Sequence, residues 1–252
     1  MNFRHEQVAT FEENGYLIVE GLLDHQEVEE LAARTMAIAT GEADHFPDEY
    51  IELEPGSKRR SADTVRKLNM CWRHDEVFRA HSTSAKILDI VECLIGPDIK
   101  IYGSQLFMKP PGGVEKPYHQ DSPYFPIEPM ALVSCWAAID DVTLENGCLW
   151  FVPGSHRSGV VDHSETWMVG ERADMKVPDS AIDLSREQAI TLRKGDCSFH
   201  HSLLLHRSGA NQTPHRRRGL ATHYMSSRSK WTSSDAPPVF LSVRGAEFPG
   251  CV

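Results

Sequence analysis

The stretch KPYHQDSPYFP, residues 116–126, carries the residues from which the fold and the chemistry are read. His119 and Asp121 stand two apart, and on an extended segment residues at that spacing project from one face of the backbone. An imidazole and a carboxylate delivered side by side suit two ligands of one metal. With a second imidazole from elsewhere they form a two-histidine, one-carboxylate facial triad, the ligand set that leaves positions open on Fe(II). A His-x-Asp triplet arises by chance in many chains of this length, so a third donor has to be found.

The run GDCSFHHSLLLHRSGANQTPHRRRG, residues 195–219, supplies it. A strand ending in His206, a turn, and a return strand beginning near Arg217 form a predicted hairpin whose two side chains face one interior. A guanidinium there grips a carboxylate through two parallel hydrogen bonds, and Ser208 offers a hydroxyl to the same carboxylate. Strand alternation buries only the middle member of Arg216, Arg217 and Arg218. His200 and His201 precede His206 on the same predicted strand, and odd spacing turns His201 away, which favours a structural role for it. His215 and His223 receive no assignment. His5, His25, His45, His74, His81 and His163 sit in polar or helical contexts and are expected to be solvated.

Outward from these motifs, IKIYGSQLFMK (99–109), ALVSCWAAID (131–140), GCLWFVPG (147–154), AITLRKGD (189–196), CSFHHSLLLH (197–206) and RGLATHYMS (218–226) are short β-rich runs. Gly, Pro, Asn and Asp punctuate them, the pattern of an all-β sandwich or barrel. On the first run Gly103, Gln105, Phe107 and Lys109 share a face and line a pocket if that face is the inner one. Tyr124, just past the His-x-Asp triplet, is placed to reach substrate; plain core packing is the competing expectation for Gln105, Phe107 and Tyr124. ENGC (145–148) and PGSH (153–156) read first as turns, with Asn146 and His156 kept as pocket-edge candidates.

The N-terminal part has a different character. EQVATFEENG (6–15) is helical up to Gly15, YLIVE (16–20) is extended, and Asp24 with Glu27 resembles a capping box opening a second helix. Residues 41–63 show no periodicity and are expected to form a surface loop or lid. Helical spacing returns over residues 74–94, through Val77, Phe78, Ile87, Leu88 and Val91, with Gly96 placed to stop it. The polar stretch 156–190 is too long for a simple turn and is expected to cross the barrel mouth. The expected organisation is one domain over 1–252: a helical part (1–98), a β core (99–230) and a C-terminal extension (231–252).

Bulk properties narrow the function classes. A chain of 252 residues can bury one sizeable core without needing two domains. Its 40% hydrophobic and 25% charged residues are ordinary for a globular protein. A net charge of −10 opposes attraction to phosphate backbones and anionic membranes, so a small-molecule substrate is expected rather than nucleic acid or a membrane. No secretory signal pattern opens the chain and no run approaches the roughly 20 apolar residues of a membrane span, which gives a cytoplasmic expectation. The six cysteines form no C-x-x-C pair and read as reduced, mostly buried thiols.

In order along the chain, FEENGYLIVEGLLD (11–24), HQDSPYFP (119–126), CWAAIDDVTLENGCLWFVPGSH (135–156) and GDCSFHHSLLLHRSGAN (195–211) are followed by an arginine eleven residues after His206. On these segments the sequence resembles the phytanoyl-CoA dioxygenase family, to which the ectoine hydroxylases belong, over most of its length. The resemblance implies a mainly β fold with flanking helices, a double-stranded β-helix of the jelly-roll, cupin-like kind. It also implies Fe(II) with 2-oxoglutarate and O₂ as cosubstrates, and oxidation of an unactivated C–H bond with release of succinate and CO₂.

Carried over residue by residue, the resemblance makes His119, Asp121 and His206 the iron ligands and Arg217 the 2-oxoglutarate anchor, with Ser208 beside it. Trp136 matches a tryptophan near the cosubstrate, and Lys67, in VRKLNM (65–70), resembles an assisting lysine. Halogenating relatives carry a small residue in place of the carboxylate ligand, so Asp121 favours hydroxylation. The acidic balance and the lack of a phosphate-binding signature favour a small metabolite or natural-product intermediate over a long CoA thioester. Two other functions compete: a zinc hydrolase or isomerase on a cupin-like barrel, which needs no Arg217, and a silent 2-oxoglutarate-binding module, which needs no intact triad.

Overall fold

A computed structural model describes residues 5–169 and 172–252. Helix α1 (His5–Asn14) leads into strand β1 (Tyr16–Val19) and then helix α2 (His25–Thr40). The start of α2 is the expected capping box: the Asp24 carboxylate accepts the Glu27 N–H at 2.9 Å and the Glu27 carboxylate accepts the Asp24 N–H at 2.7 Å. Residues 41–63 are not purely a loop, because β2 (Ile51–Leu53) pairs with β3 (Val65–Asn69).

The predicted helix over residues 74–94 is three short ones, α3 (Cys71–His74), α4 (Glu76–Ser82) and α5 (Ala85–Ile95). Asp75 explains the first break. Its backbone is extended and its carboxylate accepts the N–H groups of Val77 and Phe78, so it closes one helix and caps the next.

The β core follows. Strands β4 (Ile99–Lys109), β5 (Lys116–His119), β6 (Ile127–Glu128), β7 (Leu132–Ala138) and β8 (Leu149–Phe151) come first. Next are β9 (Glu165–Val169), β10 (Arg172–Lys176), β11 (Gln188–Ile190), β12 (Cys197–His201) and β13 (His206–Ser208). The last are β14 (Arg217–Ser226), β15 (Lys230–Trp231) and β16 (Leu241–Arg244). The large antiparallel sheet runs β1-β12-β7-β14-β4-β3-β2, with β16 also on β4, and a four-stranded sheet runs β11-β8-β13-β5. Two antiparallel sheets closing on one interior make the double-stranded β-helix. Three strands of the large sheet, β1 to β3, come from the first 98 residues, so that part is not solely helical.

Alternation on β14 shows why the large sheet is buried on both sides. Leu220 and Tyr224 join the cluster made with Leu31, Ile38, Phe78 and Ile87 of the helices, while Ala221 joins the inner cluster with Trp136 and Phe151. Each fully buried aliphatic or aromatic side chain of this kind contributes about 1.5–3 kcal/mol. The helices therefore cover the outer face and leave the inner face for the site.

The predicted hairpin joining His206 to Arg217 is absent. His206 opens β13 in the small sheet, where it pairs with β5 and β8, and Arg217 opens β14 in the large sheet, where it pairs with β4. The connecting residues cross between sheets, held by Asn211, whose side-chain amide donates to the carbonyls of Lys109, Pro110 and His215. Nor do His200 and His201 share a strand with His206, since β12 ends at His201 and the chain turns through residues 202–205. Not all the histidines expected in solvent are there: His81 is buried, His74 packs on Tyr50 at 4.2 Å, and His163 accepts the backbone N–H of Gln120 at 2.8 Å. All six cysteines are free thiols, four of them buried. Among the described residues no helix is long and apolar enough to cross a membrane.

Candidate metal and cosubstrate site

The pairing of β5 with β13 places His119 directly opposite His206, with ring centroids 4.2 Å apart. Each ring has its Nδ1 2.9 Å from a backbone carbonyl two residues earlier, Pro117 for His119 and Leu204 for His206. A carbonyl can only accept, so Nδ1 carries the proton and each Nε2 presents a lone pair. Asp121 follows the end of β5, where its N–H donates to the Ser202 carbonyl at 2.9 Å. Its Oδ1 lies 3.9 Å from His119 Nε2 and 3.6 Å from His206 Nε2, and the three donor atoms all fall within 4.8 Å of one another. One divalent ion with bonds of about 2 Å spans such a set.

Protonation suits the same purpose. Burial pushes both imidazoles below the usual histidine range, and for His119 the neighbouring His206 and Lys116 push further. Burial alone would raise Asp121, but the neighbouring His206, His200 and His223 outweigh it and hold the carboxyl well below its ordinary range. The second oxygen, Oδ2, accepts from the Ser134 hydroxyl at 3.0 Å and lies 3.7 Å from His200 Nε2. Two neutral imidazoles and one carboxylate are the forms a metal binds.

The second half of the site is cationic. Arg217 is 2% exposed; one terminal N–H donates to the Gly147 carbonyl at 2.8 Å, and its buried Nε has no partner among the described residues. Its guanidinium carbon stands 5.3 Å from the Trp136 ring centroid. Lys109 Nζ donates to Ser208 Oγ at 3.0 Å and to the Gly209 carbonyl. Burial, together with Arg217 and Arg66, holds Lys109 well below the usual lysine range. Among the described residues neither Lys109 nor Arg217 has a carboxylate in ion-pair contact. Two adjacent enclosed cations and an orphaned guanidinium N–H make a seat for an anion.

Both halves open into one cavity of about 460 Å³. Lys67, Gln105, Phe107 and Tyr124 line it, as do Trp136 and Ser208. Lys67 is paired with Glu52 at 3.1 Å. Asn146 and His156 are outside the lining. The Asn146 side chain accepts the Thr143 N–H at 2.8 Å and donates to the Asp141 carbonyl at 2.7 Å, fixing the turn that presents Gly147 to Arg217. His156 lies by Gly15 with its Nε2 3.2 Å from the Glu12 carbonyl and its ring 5.5 Å from that of His201. His201 is turned out of the site, where its Nδ1 accepts the Leu203 N–H.

Sequence reasoning missed Ser134, His200 and the contact of Lys109 with Ser208, and left His223 unassigned. Parity carried part of the signal: Ser134 is in step with Trp136 on β7, and His223 with Arg217 on β14.

A jelly roll that encloses a His-Asp-His cluster beside an unsatisfied buried guanidinium has the layout of a non-haem iron oxygenase that takes a 2-oxo acid. The family profile described as phytanoyl-CoA dioxygenase matches residues 11–219, and the chain belongs to that family. It is 30% identical over 239 residues to the peroxisomal phytanoyl-CoA dioxygenase of Rattus norvegicus, covering 90% of this chain and 70% of the relative. The epimerase SnoN, solved in complex with Fe³⁺, alpha ketoglutarate and nogalamycin RO, superimposes with a TM-score of 0.71 at 25% identity, covering 96% of this chain and 94% of that one. EctD from S. alaskensis, solved with 2-oxoglutarate and 5-hydroxyectoine, shares the fold with a TM-score of 0.78 at 24% identity over 99% of this chain and 86% of that one. The protein is thus a 2-oxoglutarate-dependent non-haem iron dioxygenase, using Fe(II), 2-oxoglutarate and O₂.

Proposed function

We propose that His119, Asp121 and His206 hold the iron, that Arg217 with Ser208 and Lys109 binds the distal carboxylate of 2-oxoglutarate, and that Trp136 and Lys67 flank it. The reaction proposed is oxidation, foremost hydroxylation, of an unactivated C–H bond in a small metabolite or natural-product intermediate. The carrying observation is the unpartnered Arg217 Nε, buried in the same cavity as three convergent metal-ligand atoms. A non-redox zinc enzyme would have no use for that guanidinium, and a silent module none for the triad.

When bound, iron, 2-oxoglutarate and O₂ supply the oxidising power, with succinate and CO₂ released. The chain supplies placement. Hydrogen bonds from Nδ1 to backbone carbonyls fix the two rings, and Ser134 fixes the Asp121 carboxylate. Arg217 and Trp136 hold one end of the cosubstrate so that its 2-oxo acid end reaches the triad. Asp121 fills the ligand position that halogenating relatives leave to chloride, which supports hydroxylation.

Gln105, Phe107 and Tyr124 are the proposed substrate contacts, and Asn146 supports the site through its turn. Small-ligand pockets span about 300–1,000 Å³. A cavity of about 460 Å³ shared by cosubstrate and substrate favours a compact compound over a CoA thioester, whose bulk would lie outside. The likeness to a structure holding a natural-product ligand supports the same class. The test is succinate formation from 2-oxoglutarate with Fe(II) and ascorbate, in the presence of a panel of compact metabolites. Iron-dependent succinate lost in Asp121→Ala supports the assignment; zinc-dependent hydrolysis without 2-oxoglutarate overturns it.

A further inference from the structure

The cavity has a polar end away from Arg217. The inward positions of β14 run Arg217, Gly219, Ala221 and His223, so the imidazole of His223 sits at the far end of the row from the guanidinium. In register it lies between Ser134 on β7 and Gly103 on β4. His223 is 6% exposed and lines the cavity.

Hydrogen bonding fixes which of its nitrogens is free. Ser134 Oγ lies 3.0 Å from Asp121 Oδ2 and 2.7 Å from His223 Nδ1. A serine hydroxyl has one proton, and an ionised carboxylate can only accept, so Ser134 donates to Asp121 and must accept from His223. The imidazole therefore carries its proton on Nδ1, and Nε2 is a bare acceptor. Among the described residues no group donates to it.

Gly103, opposite the ring, carries no side chain, and the Met70 sulfur stands 3.3 Å from where its Cβ would lie. Phe125 packs on the imidazole with centroids 4.9 Å apart, and Tyr102 packs on Phe125 at 4.5 Å. Gln105 and Asn69 face each other across β4 and β3, and both line the cavity.

We infer that His223 is the substrate-recognition acceptor. The substrate donates a hydroxyl or N–H to its Nε2 from within the cavity, with its apolar part beside Phe125. The inference rests on the proposed function for the adjacent iron and narrows its substrate to compact compounds with a hydrogen-bond donor. An unfunctionalised hydrocarbon chain would offer no donor to this acceptor on the cavity wall.

Phenol and anisole test this, because they share a ring and differ in the donor. Their binding is measured by ligand-detected NMR on the protein loaded with Zn(II) and 2-oxoglutarate. Wild type should bind phenol about tenfold tighter than anisole, as one satisfied buried acceptor warrants. His223→Asn keeps an N–H for Ser134 but has no acceptor at the Nε2 position, and should bring the ratio to about one. The melting temperature of His223→Asn confirms that the variant folds. Equal affinities in wild type, or a ratio that survives His223→Asn, overturn the inference. If wild type binds no 2-oxoglutarate, the cosubstrate assignment fails, and the phenol-to-anisole ratio still decides the role of His223.

Discussion

Gly219 lies directly beneath the indole of Trp136, and a Cβ built on the glycine would overlap the ring. The absence of a side chain on β14 is what lets the tryptophan lie flat between Arg217 and the inner apolar cluster. Gly219→Ala should displace the indole and, with it, the guanidinium. The expected result is about a tenfold loss of 2-oxoglutarate affinity by calorimetry together with a lower melting temperature, since overpacking typically costs about 1–3 kcal/mol. Unchanged affinity would show that Trp136 does not position the anchor.

Arg217 and Lys109 act on the same anion by different chemistry. Arg217→Lys loses the planar fork and should raise the KM for 2-oxoglutarate at least about tenfold, with kcat at saturation affected less. Lys109→Met removes the second cation and should weaken 2-oxoglutarate by a similar factor. Lys109 is held well below the usual lysine range by burial and by Arg217, and only its protonated form attracts a carboxylate. Affinity in wild type should therefore fall as pH rises, at values below the ordinary lysine range, and the fall should flatten in Lys109→Met. Calorimetry across that range checks the sign.

His81, in α4, has its Nε2 buried without a partner among the described residues, and burial lowers its pKa to about 4, with Glu27 and Lys86 as the nearby charges. The unfolded chain protonates this histidine near its ordinary value of 6.5, and the folded chain does not until about 4. The folded state thus binds fewer protons in that window, so stability is full above the unfolded value and drains away as pH falls towards the folded one. The loss is on the order of 3 kcal/mol. Denaturant midpoints should fall more steeply from pH 7 to 4 for wild type than for His81→Leu; parallel curves would rule the mechanism out.

Features set by local spacing were legible in the chain. The two-residue separation of His119 and Asp121, the Asp24–Glu27 capping box and the shared face of Gly103, Gln105, Phe107 and Lys109 need only the period of the backbone to be read. Burial of Arg217 alone among three arginines follows from the same period: Arg216 and Arg218 stay nearer the surface in ion pairs with Asp63 and Asp140.

What failed depended on which sheet a segment joins. His206 and Arg217 were placed on one hairpin because eleven residues suffice for it, yet β13 is only three residues long and finds its partners in β5 and β8. Nothing local distinguishes a hairpin from a crossover of that length. Asn146 looked like a pocket residue because its side chain is polar and close in sequence to the site, but both ends of the amide are used by its own turn. His81 looked solvated because its neighbours on α4 are polar, whereas tertiary packing buries that face of the helix.

The most direct test is a crystal structure of the protein grown without oxygen with Mn(II) and 2-oxoglutarate, the metal located by anomalous scattering. The structure described here requires one metal peak bonded to His119 Nε2, Asp121 Oδ1 and His206 Nε2, with the distal carboxylate of 2-oxoglutarate against Arg217. A metal bound away from these three atoms, or 2-oxoglutarate seated without contact to Arg217, would contradict it.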